Sequence, residues 1–277
     1  MPIEKINSDY ILSDIDKHFK VSAGPGAGKT HWLVNHIKNV LHHSDKLFRT
    51  RKITCITYTN IAVETILKRL GTSVEHVEVS TIHSFLFLHI VKPYANLIAH
   101  EYELNVAKLD GHDELYISYG KVNDWLTTTN QKYLLSSPDN FKIITDALMD
   151  LQWQFDDQRN LILKPRKPWL GKINKKVSIR NASYIEYRKI YWNEGAIHHD
   201  DVLFFSHQII ERHPFVLKVL RSKFPYFFID EFQDCNPIQL AILTKIGNEE
   251  TIIGIIGDQA QSIYAFQGAE QGQLDIR

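Results

Sequence analysis

Three glycines, a lysine and a hydroxyl fall within nine residues in Ser22-Ala23-Gly24-Pro25-Gly26-Ala27-Gly28-Lys29-Thr30. Residues of these types at this spacing suit a phosphate chain. The glycines let the backbone curl until several N–H groups face one anion, and a helix that follows aims its positive end at the same point. Lys29 then reaches the β- and γ-phosphates, and the Thr30 hydroxyl is offered to Mg2+. A second group lies far along the chain, where Phe227-Phe228-Ile229 run into two carboxylates, Asp230 and Glu231. Beside a phosphate loop, the first carboxylate holds Mg2+ through water and the second orients the water that attacks the phosphate. A strand that ends in two acids is weak by itself, since such residues often leave a sheet into solvent. Paired with the loop, it points to ATP and Mg2+. The expected nucleotide-binding residues are Ala23, Gly24, Pro25, Gly26, Ala27, Gly28, Lys29 and Thr30, with Thr30 and Asp230 toward the metal.

These residues need elements to hold them. Short β-branched runs occur at 19–22, 53–58, 77–80, 226–229 and 252–256, and helical patterns at 31–41 and 61–70. Near-continuous apolar runs of this length, alternating with helices, predict buried parallel strands of an α/β domain. Between about 91 and 194 the strand runs fade into polar and aromatic helical patterns, with loops expected at 136–140 and 164–170. The organisation expected is an α/β domain formed by 1–90 and 195–277, with a mostly helical insertion at 91–194.

With 44% hydrophobic and 23% charged residues, the chain is of ordinary globular composition, and disordered or fibrous classes are excluded. Thirty-two basic residues balance 32 acidic ones, so net charge does not mark a nucleic-acid binder; local patches, which decide phosphate binding, remain open. Two cysteines, Cys55 and Cys235, make no disulfide framework and imply a reducing cytoplasm. The N-terminus has no apolar signal core, and the longest apolar runs are too short to span a bilayer, so no membrane association is expected.

Asp230-Glu231-Phe232-Gln233-Asp234-Cys235-Asn236 resembles the DEFQD(T/C)N box of UvrD/PcrA/Rep-type superfamily 1 DNA helicases. Other boxes follow in that family's order. Thr57-Tyr58-Thr59-Asn60-Ile61-Ala62 is similar to TFTNKAA, Thr81-Ile82-His83-Ser84-Phe85 to TFHSF, and His199-Asp200-Asp201-Val202-Leu203 to DxDDLL. The stretch from Gly257 to Ala269 resembles GDxxQSIYxFRGA. The resemblance implies a P-loop, RecA-like parallel sheet with an inserted 1B subdomain, and ATP-driven 3'-to-5' movement on single-stranded DNA or a single-strand/duplex junction. It also implies that Gln261 senses the γ-phosphate, and that Tyr58, Asn60, His83, Tyr264 and Phe266 line the strand's track, where aromatic faces stack on bases without reading sequence.

Three positions depart from the family pattern. Ala23 stands where the strict loop has glycine, residues 6–10 lack the glutamine expected for adenine, and Gln267 replaces an arginine. The arginines that complete the family's ATP site belong to a second RecA-like domain, so residues 1–277 by themselves are expected to hydrolyse ATP slowly. A different class stays open: a nucleotide-sensing subunit that regulates a nuclease partner, as in antiphage systems of the Gabija type. A basic stretch from Lys164 to Arg180 is open too, as a phosphate contact or as a solvated loop. The neighbours His198 and His199 are not expected to hold a metal, and Cys55 is expected in the core.

Overall fold

In the computed structural model, residues 5–247 and 250–258 are described. Seven strands occur among them: β1 (Phe19–Ser22), β2 (Ile53–Thr57), β3 (Val77–Thr81), β4 (Leu151–Phe155), β5 (Leu161–Pro165), β6 (Tyr226–Ile229) and β7 (Ile252–Gly257). The longer helices are α1 (Lys29–His43), α2 (Asn60–Leu70), α3 (Tyr119–Thr128), α4 (Pro138–Met149), α5 (Tyr184–Trp192), α6 (His199–Arg212), α7 (Phe215–Lys223) and α8 (Pro237–Ile246). The chain divides into two compact units, Met1–Phe85 with His213–Arg277, and Leu86–Arg212.

The first unit is built on a five-stranded sheet in the order β1-β7-β6-β2-β3. All four pairings are parallel. The strands lie where the β-branched runs predict them, with ends shifted by a residue or so, and β2 and β6 are buried along their whole length. Burial of both faces explains why β6 reads as an unbroken apolar run and why β2 carries only small or β-branched residues throughout. On one face α1 sets Leu33, Ile37 and Val40 against Ile53 and Cys55 of β2, Phe228 of β6 and Ile256 of β7. These helix positions are spaced to share one side of α1. His36 is buried in the same layer, its ring stacked on Trp32 at 5.1 Å. Burial pushes its pKa down to about 4, so it is neutral. On the other side, Phe85 packs edge-on to Phe227 at 5.1 Å.

Because every strand runs the same way, the segments after Ser22, Thr57, Thr81, Ile229 and Gly257 leave one edge of the sheet. This carboxyl edge is where parallel α/β sheets bind ligands.

The second unit contains α3 to α6 and one antiparallel hairpin, β4–β5. The hairpin differs from the expected helical insert with loops. The stretch expected as a loop at 164–170 begins inside β5, and the one at 136–140 contains the start of α4, where Ser137 caps the helix and Pro138 occupies its first position. The alternation of Leu151, Trp153 and Phe155 with Gln152 and Gln154 is the two-residue period of a half-buried strand, a signal the reading of this stretch as helix and loop passed over. The chain returns to the first unit after Arg212 rather than at 195, so α6 and its Asp200-Asp201 pair belong to the second unit.

Asp201 is fully buried there and accepts hydrogen bonds from Trp153 Nε1 (2.9 Å), Trp192 Nε1 (3.0 Å) and the His198 N–H (3.0 Å). The Arg188 guanidinium, itself buried, lies 3.7 Å away. Asp201→Ala would strand three N–H donors and an arginine without their acceptor. A loss of about 3–5 kcal/mol in unfolding free energy is expected, the usual cost of breaking a buried charged pair. Denaturant titration of the variant checks this; a change under 1 kcal/mol would show that the network adds nothing.

Candidate functional site

The phosphate loop turns between β1 and α1. Gly26 and Gly28 have φ of +74° and +85°, a region that only glycine enters without strain. Gly28 is the residue before α1, and the first bond of that helix runs from Trp32 N–H to the Gly28 carbonyl at 2.9 Å. The amides of Lys29, Thr30 and His31 therefore point out of the helix start, as unpaired helix-terminal donors do. Loop and sheet are joined by Ala23 N–H, which donates to the Gly257 carbonyl at 3.1 Å. Gly24 and Gly26 face open space, where a bound group meets backbone rather than a side chain. Pro25 and Ala27 complete the turn, with Ala27 N–H donating to the Gly24 carbonyl at 3.3 Å.

Asp230 and Glu231 leave β6. The strand between them and the phosphate loop is β7, so the two motifs are two strand spacings apart, roughly 10 Å. That gap is bridged from one side: Lys29 Nζ is 3.3 Å from Glu231 Oε2. Asp230 is only 2% exposed. Its N–H donates to the Ile56 carbonyl at 2.8 Å, and its Oδ1 accepts the Glu231 N–H at 3.0 Å. Burial first, and then the Glu231 charge, push its pKa up to about 6. A buried carboxylate beside a second one is a position where a divalent cation relieves electrostatic strain. The donor set fits: Thr30 offers a hydroxyl in the first turn of α1, and Asp230 a carboxylate. All are oxygens, as Mg2+ requires.

Glu231 adopts left-handed backbone angles, φ 51° and ψ 43°, uncommon for a residue with a side chain. A short turn, Phe232–Asp234, follows it and leads into α8, which is closed by a capping box between Asn236 and Gln239. Within this box sequence reasoning assigned no role to Gln233 or Cys235, and both prove to be connected. Gln233 Nε2 donates to Glu231 Oε2 at 2.7 Å, and its Oε1 accepts the Asp258 N–H at 2.9 Å. Cys235 Sγ receives the Tyr58 hydroxyl at 2.6 Å. Burial pushes the Cys235 thiol up to about 12 and raises the Tyr58 phenol as well, so the pair is neutral. The only signal in the sequence was their place inside the acidic box.

Of the residues expected on a DNA track, Tyr58 follows β2 and is half-buried, with its hydroxyl committed to Cys235. Asn60 is exposed as the first residue of α2, just after Thr59, whose hydroxyl caps that helix by accepting the Ala62 N–H at 3.2 Å. Beside it Ile61, standing where the family box has lysine, is 77% exposed. His83 is half-buried in the Ile82–Leu86 turn that follows β3, where Thr81 Oγ1 accepts the Ser84 N–H at 3.3 Å. All three leave the carboxyl edge that carries the phosphate loop. Gln261, Tyr264 and Phe266 lie outside the described residues. Among the described residues, no group of three or more His, Cys, Asp or Glu side chains is disposed to hold a metal ion by itself, His198 and His199 included.

The comparisons with known proteins agree with this geometry. GajB, a Gabija protein of Bacillus cereus (strain HuB5-5), is 25% identical over an alignment of 305 residues that covers 94% of this chain and 44% of its own. The ATP-dependent DNA helicase PcrA of Staphylococcus aureus (strain Mu50 / ATCC 700699) is 26% identical, with 90% of this chain and 32% of its own covered. A probable DNA helicase II homolog of Rickettsia felis is 24% identical, with 91% and 36% covered. The chain thus spans less than half the length of these curated relatives. The UvrD/REP helicase N-terminal domain family matches residues 5–275. With its phosphate loop, its acidic strand end and its five parallel strands in place, the chain belongs to that family and has its RecA-like P-loop fold.

Proposed function

We propose that this chain is the ATP-binding motor domain of a DNA helicase or translocase that moves on single-stranded DNA or at a junction with duplex. The observation that carries this reading is the approach of Lys29 Nζ to within 3.3 Å of Glu231 Oε2, which joins the phosphate loop to the acidic pair across β7. In this reading the loop amides and Lys29 hold the phosphates, and Glu231 orients the attacking water. Thr30 and Asp230 would hold Mg2+, which when bound neutralises charge between the terminal phosphates. Gln261 senses the terminal phosphate, and Tyr58, Asn60, His83, Tyr264 and Phe266 contact the strand. The two free thiols suit a reducing, cytoplasmic setting. No helix among the described residues is long and apolar enough to cross a membrane.

The test is phosphate release by the full-length protein with and without single-stranded DNA. Stimulation by DNA supports the motor reading. Nucleotide binding without stimulation would favour the second one, a nucleotide-sensing, DNA-binding subunit that regulates a nuclease partner, which the similarity to a Gabija protein brings forward.

The basic stretch of the second unit suits a phosphate backbone. Asp150 anchors it by accepting from Arg166 Nη2 at 3.1 Å and from the Lys167 N–H at 2.8 Å. Asn174 Oδ1 accepts the N–H groups of Lys176 and Val177, both at 2.9 Å, in a tight turn that leaves Lys172, Lys175 and Lys176 exposed. Trp169 beside them is 64% exposed, free to stack on an unpaired base. Changing the three lysines to Gln is expected to lower the slope of log affinity against log salt by about 2–3, at roughly 0.7–0.9 per phosphate contact. Anisotropy titrations of a labelled oligonucleotide at several salt concentrations measure it. An unchanged slope would identify a solvated loop.

A further inference from the structure

We propose that Gln233 is a positioning residue for Glu231, tying the water-orienting carboxylate to the end of β7. The inference rests on the ATPase reading given above and names a further part of that site. Gln233 is 7% exposed, so its amide is held by protein groups rather than by water. The orientation of the amide follows from its two partners. The Asp258 backbone N–H can only donate, so it faces Oε1, at 2.9 Å. The Glu231 carboxylate can only accept, so it faces Nε2, at 2.7 Å. Nothing on either side allows the amide to turn over.

Glu231 needs such a hold. Its backbone is in the left-handed region, and the segment after it is a single short turn, so local structure fixes its side chain weakly. Lys29 Nζ pulls on the same Oε2 atom at 3.3 Å. A lysine that moves to a bound phosphate releases that oxygen, and the Gln233 N–H then remains as the contact that keeps the carboxylate aimed. Through Oε1 the same side chain registers the position of the Gly257–Asp258 backbone, and Gly257 in turn accepts the Ala23 N–H of the phosphate loop at 3.1 Å. One amide therefore links the acidic turn, strand β7 and the loop.

Gly257 gives an independent sign that this position is reserved for Gln233. A Cβ added at Gly257 would lie 2.7 Å from Gln233 Oε1 and 3.3 Å from the Phe232 backbone nitrogen. Its φ is not in the positive region, so the glycine is required here by the closeness of Gln233 and not by backbone conformation. Charged groups near the contact include Lys29, Asp230, Asp234 and Asp258, and burial together with the Glu231 charge raises the Asp234 carboxyl.

Four variants of the full-length protein test the assignment. Gln233→Glu keeps the shape and the acceptor for the Asp258 N–H, removes the donor to Glu231 and sets a second carboxylate against it. Turnover in saturating ATP is expected to fall about ten- to a hundredfold, the usual effect of losing a partner that orients a catalytic group. Affinity for ADP is expected to stay close to wild type, and the melting temperature to fall only by what repulsion between the two carboxylates costs. Gly257→Ala, which displaces Oε1 from the other side, should show the same kcat-selective loss. In the Gln233→Ala background Gly257→Ala should add little, because the crowded atom is gone. Wild-type turnover in Gln233→Glu would overturn the assignment while leaving the ATPase reading intact. So would equal losses of turnover, ADP affinity and stability, which would mark Gln233 as a structural residue only. Wild-type protein that releases no phosphate under any condition would overturn the ATPase reading, and this inference with it.

Discussion

Glu231→Gln is expected to bind nucleotide about as well as the wild-type protein and to lose turnover by about 10²–10⁴, the range for removing a positioned proton acceptor. The substitution keeps side-chain volume and one oxygen, so the contact with Gln233 Nε2 survives. What disappears is the negative charge that can take a proton from the attacking water. Lys29, which contacts the same oxygen at 3.3 Å, loses the charge of its partner at the same time. With less competition for its ammonium, the phosphates should be held no more weakly than before. Binding of a fluorescent ATP analogue, combined with steady-state phosphate release, separates the two effects. Turnover at the wild-type rate would remove Glu231 from its role.

Lys29→Ala is expected to damage both steps. A charge-assisted contact to phosphate is worth about 1.5–3 kcal/mol, so affinity should fall by roughly one to two decades. The same ammonium meets charge that grows on the terminal phosphate during transfer, and losing one such donor typically costs a further 10²–10³ in rate. The fold should not suffer. Lys29 is the first residue of α1, where alanine is well tolerated, and the packing of that helix comes from Leu33, Ile37 and Val40. Unfolding temperature, nucleotide affinity and turnover measured on the same preparation distinguish a lost phosphate contact from a lost fold. Turnover within tenfold of wild type would show that the helix-start amides suffice for catalysis.

These two substitutions fail differently because the chemistry is divided between the ends of two strands, β1 and β6, on one edge of the sheet. The phosphate loop was legible in sequence because its demands are local. Glycines at 24, 26 and 28 permit the curl, and the strand before and the helix after are each set by a run of a few residues. The five parallel strands were legible for a related reason: each is a short run rich in apolar and β-branched residues, and β2, β6 and β7 are buried along nearly their whole length. The hairpin β4–β5 was not picked out: its alternation runs over only five residues amid helical patterns, and what fixes it is the stacking of Trp153 on Phe204 at 3.8 Å. Nor was the return point after Arg212, since α6 reads alike whichever unit receives it.

By itself, the sequence determined the kind of fold and pointed to the residues proposed to hold phosphate and metal. Those properties depend on residue type and on neighbours within a few positions. Only the tertiary structure decided that β7 lies between the phosphate loop's strand and the acidic one, because the lateral order of parallel strands is set by packing between distant segments. It alone joined Tyr58 to Cys235, 177 positions apart, and Gln233 to Asp258, 25 apart. Short-range periodicity carries no record of such pairs. They form because a buried donor or acceptor must find a partner, and the partner is whichever group the folded sheet brings within about 3 Å.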